Sequence, residues 1–265
     1  MRRILIAALA LLPLPAAAEL PDLAGREVVG VECLVRWVHP VLGIIAPDRF
    51  IPLAEQTGQI RHLTRWLLET TARQMRLAED RGLLLRWAVN ISAVDLLSPD
   101  FAQSVGDVLR VHGLAPGRLV VEVTESAAMS DPENAIRQLA ALRHMGVKLS
   151  IDDYGTGHAS MAQLKRLPVD ELKIDRSFVR SLNTDTNDQA IVASTIALAH
   201  RLGLSVAWPG RGRLTRWLAG SRAGRWQSAT SPPGQLREPA CCCRVRTCRH
   251  RRRRSRRRGS CGRPD

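Results

Sequence analysis

Up to Ala207 the sequence holds one cysteine, Cys33. A single thiol cannot build a disulfide framework, so this part has to be held together by an apolar core, which fits a reducing compartment. Long hydrophobic runs are also missing. After the first eighteen residues no stretch approaches the roughly 18 consecutive apolar residues of a membrane-spanning helix, and the remainder is expected to be soluble. Lysine is absent beyond Ala207, and acids nearly so: residues 208–265 carry 17 Arg, no Lys and 2 acids, against 22 Lys+Arg and 23 Asp+Glu in residues 1–207. The formal charge of +14 on this 265-residue chain therefore belongs to its last fifth. A basic nucleic-acid-binding face is excluded as the organising feature of the rest.

The two ends differ from the middle. Residues 1–21 form a leader. Arg2 and Arg3 precede an apolar run from Ile4 to Leu12, and Ala16-Ala17-Ala18 follows, the layout of a secretory signal peptide. Pro13 and Pro15 shorten the run below a comfortable span, so the leader is an export signal, an uncleaved anchor or an accidental start. Residues 208–265 are rich in Arg, Gly, Pro, Ser and Cys. They lack apolar periodicity, and Arg251 to Arg258 is arginine except for Ser255. Such a segment cannot bury enough apolar surface to offset its ordering entropy and is expected to be disordered. It has the composition of an out-of-frame translation of a GC-rich gene; read as an evolved segment, it would bind polyanions without sequence preference. Cys241, Cys242, Cys243, Cys248 and His250 lack the paired two-residue spacings of a structural zinc site.

Residues 22–207 alternate short apolar segments with amphipathic ones. Strands are expected at 27–37, 83–91, 119–123, 147–151, 171–174 and from 204, and helices at 47–56, 61–81, 99–112, 131–146, 159–165 and 188–202. Asp131, Pro132 at the first helical position and Glu133 in the first turn mark one helix start clearly. Six strand–helix units imply right-handed crossovers, a mainly parallel sheet and a barrel rather than an open sheet.

Acidic or amide residues recur at the C-terminal ends of these strands: Glu32, Asn90, Glu122 with Glu125, Asp152 with Asp153, and Asp175 with Lys173. In a β/α barrel that is where an active site is built. A lone acid at such a place is most often a solvated charge or a helix cap, but recurrence in successive units is hard to explain that way. Oxygen donors gathered without histidine or cysteine select Mg²⁺ or Mn²⁺ over zinc. Asp152 and Asp153 are consecutive, so both reach one site only if the backbone turns there. They could then serve two ions about 3.5–4 Å apart, as in two-metal phosphoester hydrolases.

The residues Val31-Glu32-Cys33-Leu34-Val35-Arg36-Trp37 resemble the Glu-Ala-Leu signature of the EAL-domain family. The resemblance continues through Phe50-Ile51-Pro52-Leu53-Ala54-Glu55, Val89-Asn90-Ile91-Ser92 and Glu122-Val123-Thr124-Glu125-Ser126. It runs on through Ile151-Asp152-Asp153-Tyr154-Gly155-Thr156-Gly157 and Leu167-Pro168-Val169-Asp170-Glu171-Leu172-Lys173-Ile174-Asp175. It implies a TIM-like (β/α)8 barrel, here incomplete at both ends, and hydrolysis of cyclic di-GMP to linear pGpG with two Mg²⁺ or Mn²⁺ ions. Glu32, Asn90, Glu122 and Asp152 would hold metal, with Asp153 at the second ion. Lys173 would stand near the attacking water, Glu125 would hold the Asp-Asp-Tyr-Gly-Thr-Gly loop, and Arg36 and Asp175 would serve the substrate. The implied substrate is cytosolic, so the chain is expected in the cytoplasm, and as a family member it could form a homodimer.

Three departures accompany the resemblance. Cys33 replaces the signature alanine and, facing away from Glu32, should pack as a small buried hydrophobe. The usual first-strand segment is missing, leaving an unpaired edge unless leader residues fill it. After Leu204-Ser205-Val206-Ala207 the family continues with Ala-Glu-Gly-Val-Glu, and later with a guanine-contacting glutamine; here the text reads Trp208-Pro209-Gly210-Arg211-Gly212-Arg213. Neither acid nor the glutamine can be placed, so activity is expected to be impaired, with a non-catalytic nucleotide binder as the alternative.

Overall fold

The computed structural model describes residues 18–21, 28–156, 161–180, 182 and 184–207; the expectations for the first part of the leader, for Gly157 and for the arginine-rich tail lie outside the described residues. The chain opens with strand β1 (Ala18–Pro21), then β2 (Val28–Cys33) and a small hairpin of β3 (Trp37–His39) and β4 (Gly43–Ile45). Helices α1 (Pro47–Gln56) and α2 (Ile60–Asp80) lead to β5 (Arg86–Ile91), followed by α3 (Ala93–Leu96) and α4 (Phe101–Val111). Strand β6 (Leu119–Thr124) precedes α5 (Glu125–Ser130) and α6 (Pro132–His144); β7 (Lys148–Tyr154) precedes α7 (Met161–Arg166). Strand β8 (Glu171–Ile174), α8 (Arg176–Arg180), α9 (Thr186–Arg201) and β9 (Ser205–Ala207) complete the series.

The main sheet has the order β1-β2-β5-β6-β7-β8-β9. All neighbours from β2 to β9 are parallel, and β1 pairs antiparallel with β2. Sequential parallel neighbours joined by helices are the wall of a β/α barrel; among the described residues β1 and β9 are its open edges. Thus the first strand of the sheet is supplied by Ala18–Pro21, at the end of the leader, which covers the edge of β2. The strand expected over 27–37 divides in two, because Leu34, Val35 and Arg36 leave the sheet before the hairpin begins.

Alternation along the strands separates two environments. Val31, Cys33, Val89, Ile91, Val121, Val123, Leu149, Ile151, Leu172, Ile174 and Val206 pack in one cluster with Leu67, Met75, Val105, Leu139, Leu142, Val192 and Ile196 of the helices. The intervening residues, Glu32, Asn90, Glu122, Ser150, Asp152, Glu171, Lys173 and Ser205, stand on the other face, which is polar. A parallel barrel strand has helices on one side only, so its second face is free to carry chemistry. Helix α2 shows the complementary pattern: its buried stripe is Ile60, Thr64, Leu67, Leu68, Thr71, Ala72, Met75 and Ala78, with Thr70, while Leu63 and Trp66 are only partly covered.

Candidate active site

Register places the site. Asn90 of β5 lies opposite Glu122 of β6, Glu122 opposite Ser150 of β7, and Thr124 opposite Asp152. Glu32 is one step back on β2, opposite Ala88. Because all share the face away from the helices, their side chains converge near the C-terminal ends of the strands. Glu32, Glu122 and Asp152 each offer a carboxylate oxygen, and these atoms lie within 4.8 Å of one another. The Asn90 amide Nδ2 donates to Glu32 Oε1 at 3.0 Å, tying the fourth expected ligand to the group.

Lys173, from β8, reaches into this cluster. Its Nζ donates to Glu122 Oε2 at 2.8 Å and to Asp152 Oδ2 at 3.1 Å, and lies 4.0 Å from Glu32 Oε1. Burial alone would lower the proton affinity of the ammonium, but Glu122, Asp152 and Glu32 more than offset this and hold it above the ordinary lysine range. Burial pushes the Glu122 carboxyl up to about 8 even against the attraction of Lys173, because Glu32 and Asp152 add negative charge. Once Glu122 gives up its proton, three carboxylates around one ammonium leave an excess of two negative charges, which one divalent cation balances. Every donor is a hard oxygen or an amide, and among the described residues the group includes no imidazole or thiolate, so the residues fit Mg²⁺ or Mn²⁺; Asn90 would turn its amide to offer the oxygen.

Asp153 is placed differently from its neighbour. Strand β7 does not end at Asp152; it continues to Tyr154 with a bulge. Ile151 pairs with Leu172 but Tyr154 with Ile174, so β7 carries one residue more than β8 over the interval. The extra residue is absorbed at Asp153, whose φ of 53° is in the left-handed region that Asp tolerates better than most side chains. Its carboxyl engages Asp175 rather than joining the group of three, and burial, then Asp152, then that hydrogen bond raise it to about 6. Burial would push Asp175 up as well, but the hydroxyl and backbone N–H of Ser177 hold it below the usual carboxylate range. Where the pair holds a proton, below about pH 6, it sits on Asp153.

Two further expected residues frame the site. Glu125, 4% exposed at the start of α5, accepts the Gly155 backbone N–H at Oε2, 2.9 Å, and so holds the loop after β7. Gly155 has φ 101°, and a Cβ there would meet Phe178 at 3.1 Å, so both the backbone and the tight contact favour glycine. Arg36 lines a cavity of about 470 Å³ with Leu34, Ile51, Asn90 and Thr124. Its guanidinium donates to the carbonyl of Val35 at 2.8 Å and, among the described residues, forms no ion pair. Cys33 packs in the core as expected, its thiol pushed up to about 11 by burial.

Sequence reasoning missed a supporting network behind Asn90. Asp95, 2% exposed, accepts from Thr64 Oγ1 at 2.7 Å and from Ser92 N at 3.2 Å. Ser92 Oγ accepts from Val94 N and donates to Glu55 Oε1 at 2.5 Å. This is a capping box on a four-residue helix, and the Ser-x-x-Asp spacing of 92 to 95 was its available signal.

The chain is similar in sequence and fold to known proteins. A bifunctional diguanylate cyclase/cyclic di-GMP phosphodiesterase, MucR of Pseudomonas aeruginosa, is 46% identical over 184 residues, covering 69% of this chain and 27% of MucR. NbdA of the same organism, a cyclic di-GMP phosphodiesterase, is 44% identical over 71% of this chain and 24% of its own length. The chain thus spans about a quarter of these relatives. Among solved structures, a PaMucR phosphodiesterase complex with c-di-GMP superposes with a TM-score of 0.69 at 43% identity, covering 75% of this chain and 81% of that one. Klebsiella pneumoniae BlrP1, in a calcium/cy-diGMP complex, gives 0.63 at 29% identity over 76% of this chain and 50% of that one. The EAL domain profile matches residues 21–210, the span that carries both the strand wall and the carboxylate cluster. The chain belongs to the EAL domain family.

Proposed function

We propose that this chain hydrolyses cyclic di-GMP to linear pGpG, with Glu32, Asn90, Glu122 and Asp152 holding one divalent ion and Asp153 contributing to a second. The observation that carries the reading is the oxygen cluster of Glu32, Glu122 and Asp152, with an excess of negative charge, opening beside a cavity that presents the Arg36 guanidinium. Mg²⁺ or Mn²⁺ would supply activation of a water and neutralise charge on the departing ribose oxygen. The remaining work belongs to the chain. Arg36 has a planar fork suited to phosphate oxygens and lines the cavity where the phosphodiester would enter. Lys173 keeps its proton and stands as a positive charge beside the reacting phosphate. Glu125 fixes the Gly155 loop, and Asp175 orients the Asp153 carboxyl. In the reaction one P–O3′ bond is exchanged for a P–OH, water supplying the hydroxyl to phosphorus and a proton to the 3′ oxygen.

Incubation of the purified full-length chain with cyclic di-GMP and Mn²⁺ tests this, with pGpG resolved by chromatography. Appearance of pGpG that EDTA abolishes supports the reading; no pGpG with either Mg²⁺ or Mn²⁺ rejects it. The replacement of the family's Ala-Glu-Gly-Val-Glu text after Ala207 favours a second reading, a chain that binds the nucleotide with little or no turnover. Calorimetry distinguishes the two, since binding without product supports the second and absence of binding removes it. Among the described residues no helix is long and apolar enough to cross a membrane, and we place the activity in the cytoplasm with its substrate.

A further inference from the structure

The face that carries the site continues past it. From Asn90 and Glu122 the hydrogen-bonded row runs through Ser150 of β7 to Glu171 of β8 and Ser205 of β9. Glu171 is two residues before Lys173 on the same strand, so both side chains leave β8 on the same side. Its carboxylate faces a hydroxyl from each neighbouring strand: Ser150 Oγ donates to Oε1 at 3.3 Å, and Ser205 Oγ shares its one proton between the Asp170 carbonyl at 3.1 Å and Glu171 Oε2 at 3.4 Å. The positive charges that face it are Lys173 and Arg86. Nothing in the expected reaction uses this acid, yet it is deliberately braced in a site that already has more carboxylates than cations.

A conflict within the site supplies a role. The Lys173 ammonium now occupies the centre of the three carboxylates, hydrogen-bonded to two of them. A divalent ion needs those same oxygens, and an ammonium left among them would repel it. The ammonium must give up these contacts and find another carboxylate without leaving the site, since a buried charge without a partner is costly. Glu171 offers one on its own strand, and two residues of strand separate the stems by about 7 Å, within the reach of a flexible four-carbon lysine stem.

We propose that Glu171 is a positioning residue that receives the Lys173 ammonium when divalent cations take Glu32, Glu122 and Asp152. This rests on the metal site proposed above and adds to it a reason why cation and lysine can share one face. The lysine would then remain near the reacting phosphate while ceasing to compete with the metal.

A double-mutant cycle on Mn²⁺ affinity, measured calorimetrically on the full chain without substrate, tests it. Glu171→Gln should weaken Mn²⁺ binding about tenfold while Lys173 is present, the scale of outer-shell effects on metal sites. In a Lys173→Met background the same substitution should change affinity by less than about twofold, because the competing ammonium is gone. An equal loss in both backgrounds means that Glu171 acts only through its charge field and overturns the proposal, as does no loss in either. Absence of Mn²⁺ binding to the unsubstituted chain removes the metal site itself and this inference with it, an outcome distinct from binding without coupling. Should Glu171→Gln fail to fold, Ser205→Ala removes one brace and keeps the charge. It should weaken binding about threefold with Lys173 and leave it unchanged without Lys173; an equal effect in both again overturns the proposal.

Discussion

At the scale of single residues, the decisive feature is a buried carboxyl that holds its proton to an unusually high pH. Glu122 titrates near 8 in the folded chain, against 4.5 for an unperturbed glutamate. Between those values the folded state binds a proton that the unfolded state does not, so stability of the cation-free chain must fall as pH rises. The slope is at most about 1.4 kcal/mol per pH unit from this group, and Asp153, raised to about 6, acts in the same direction over a narrower window. Thermal melts in EDTA should therefore show Tm decreasing from pH 5 to pH 8, and Mn²⁺ should restore it most at the upper end, where the carboxylates are ionised. A flat or rising profile in EDTA would contradict the burial of Glu122. Replacing it is equally direct. Glu122→Gln exchanges a charged metal oxygen for a neutral amide, where even outer-shell partners cost about 10–100-fold, so hydrolysis should fall by at least about 100-fold while the fold persists, as followed by circular dichroism. Glu122 itself was legible in the sequence as one of a recurring series, because strand-end acids are visible as letters. Its proton affinity was not, since that depends on Lys173, Glu32 and Asp152 arriving from other strands.

At the scale of elements, the loop after β7 and the turn after β5 hold the site's two sides. Gly155 combines a left-handed backbone with close approach to Phe178, so Gly155→Ala should cost about 1–2 kcal/mol for the backbone alone and loosen the bond from Gly155 N–H to Glu125. Chemical denaturation measures the first effect and a drop in kcat at unchanged KM the second. On the other side, Asp95→Ala leaves Thr64 Oγ1 and Ser92 N without their buried acceptor, a loss of about 1–3 kcal/mol, again read from the denaturation midpoint. The long elements were readable from periodicity: α1 has the expected bounds, and α2, α6 and α9 begin or end within two residues of them. What failed was local. The strand expected over 27–37 ran past the end of β2 to Trp37, the first residue of β3, because Val35 and Trp37 extend the apolar run beyond the point where the chain leaves the sheet, and the rest of the β3–β4 hairpin was unread. The short α3, α5 and α8 passed unseen, since one or two turns show no period. The bulge at Asp153 could not be read either: it is defined by a register with β8 that the β7 sequence does not contain.

At the scale of the whole molecule, six parallel strands among the described residues form a wall that divides an apolar exterior packed under helices from a polar inner face that carries Glu32, Asn90, Glu122 and Asp152. That division was legible as strand–helix alternation with acids at strand ends. The source of the first strand was legible only as an alternative, leader residues filling an otherwise unpaired edge. Ala18–Pro21 lies in a segment whose composition resembles a leader, and only its antiparallel pairing with β2 identifies it as part of the sheet. The account as a whole stands on oxygen donors from β2, β5, β6 and β7 sharing one divalent ion. The most direct measurement is anomalous diffraction from crystals of the chain soaked in Mn²⁺. The account predicts a strong peak bounded by Glu32, Asn90, Glu122 and Asp152; no peak there, or manganese bound elsewhere on the molecule, would contradict it.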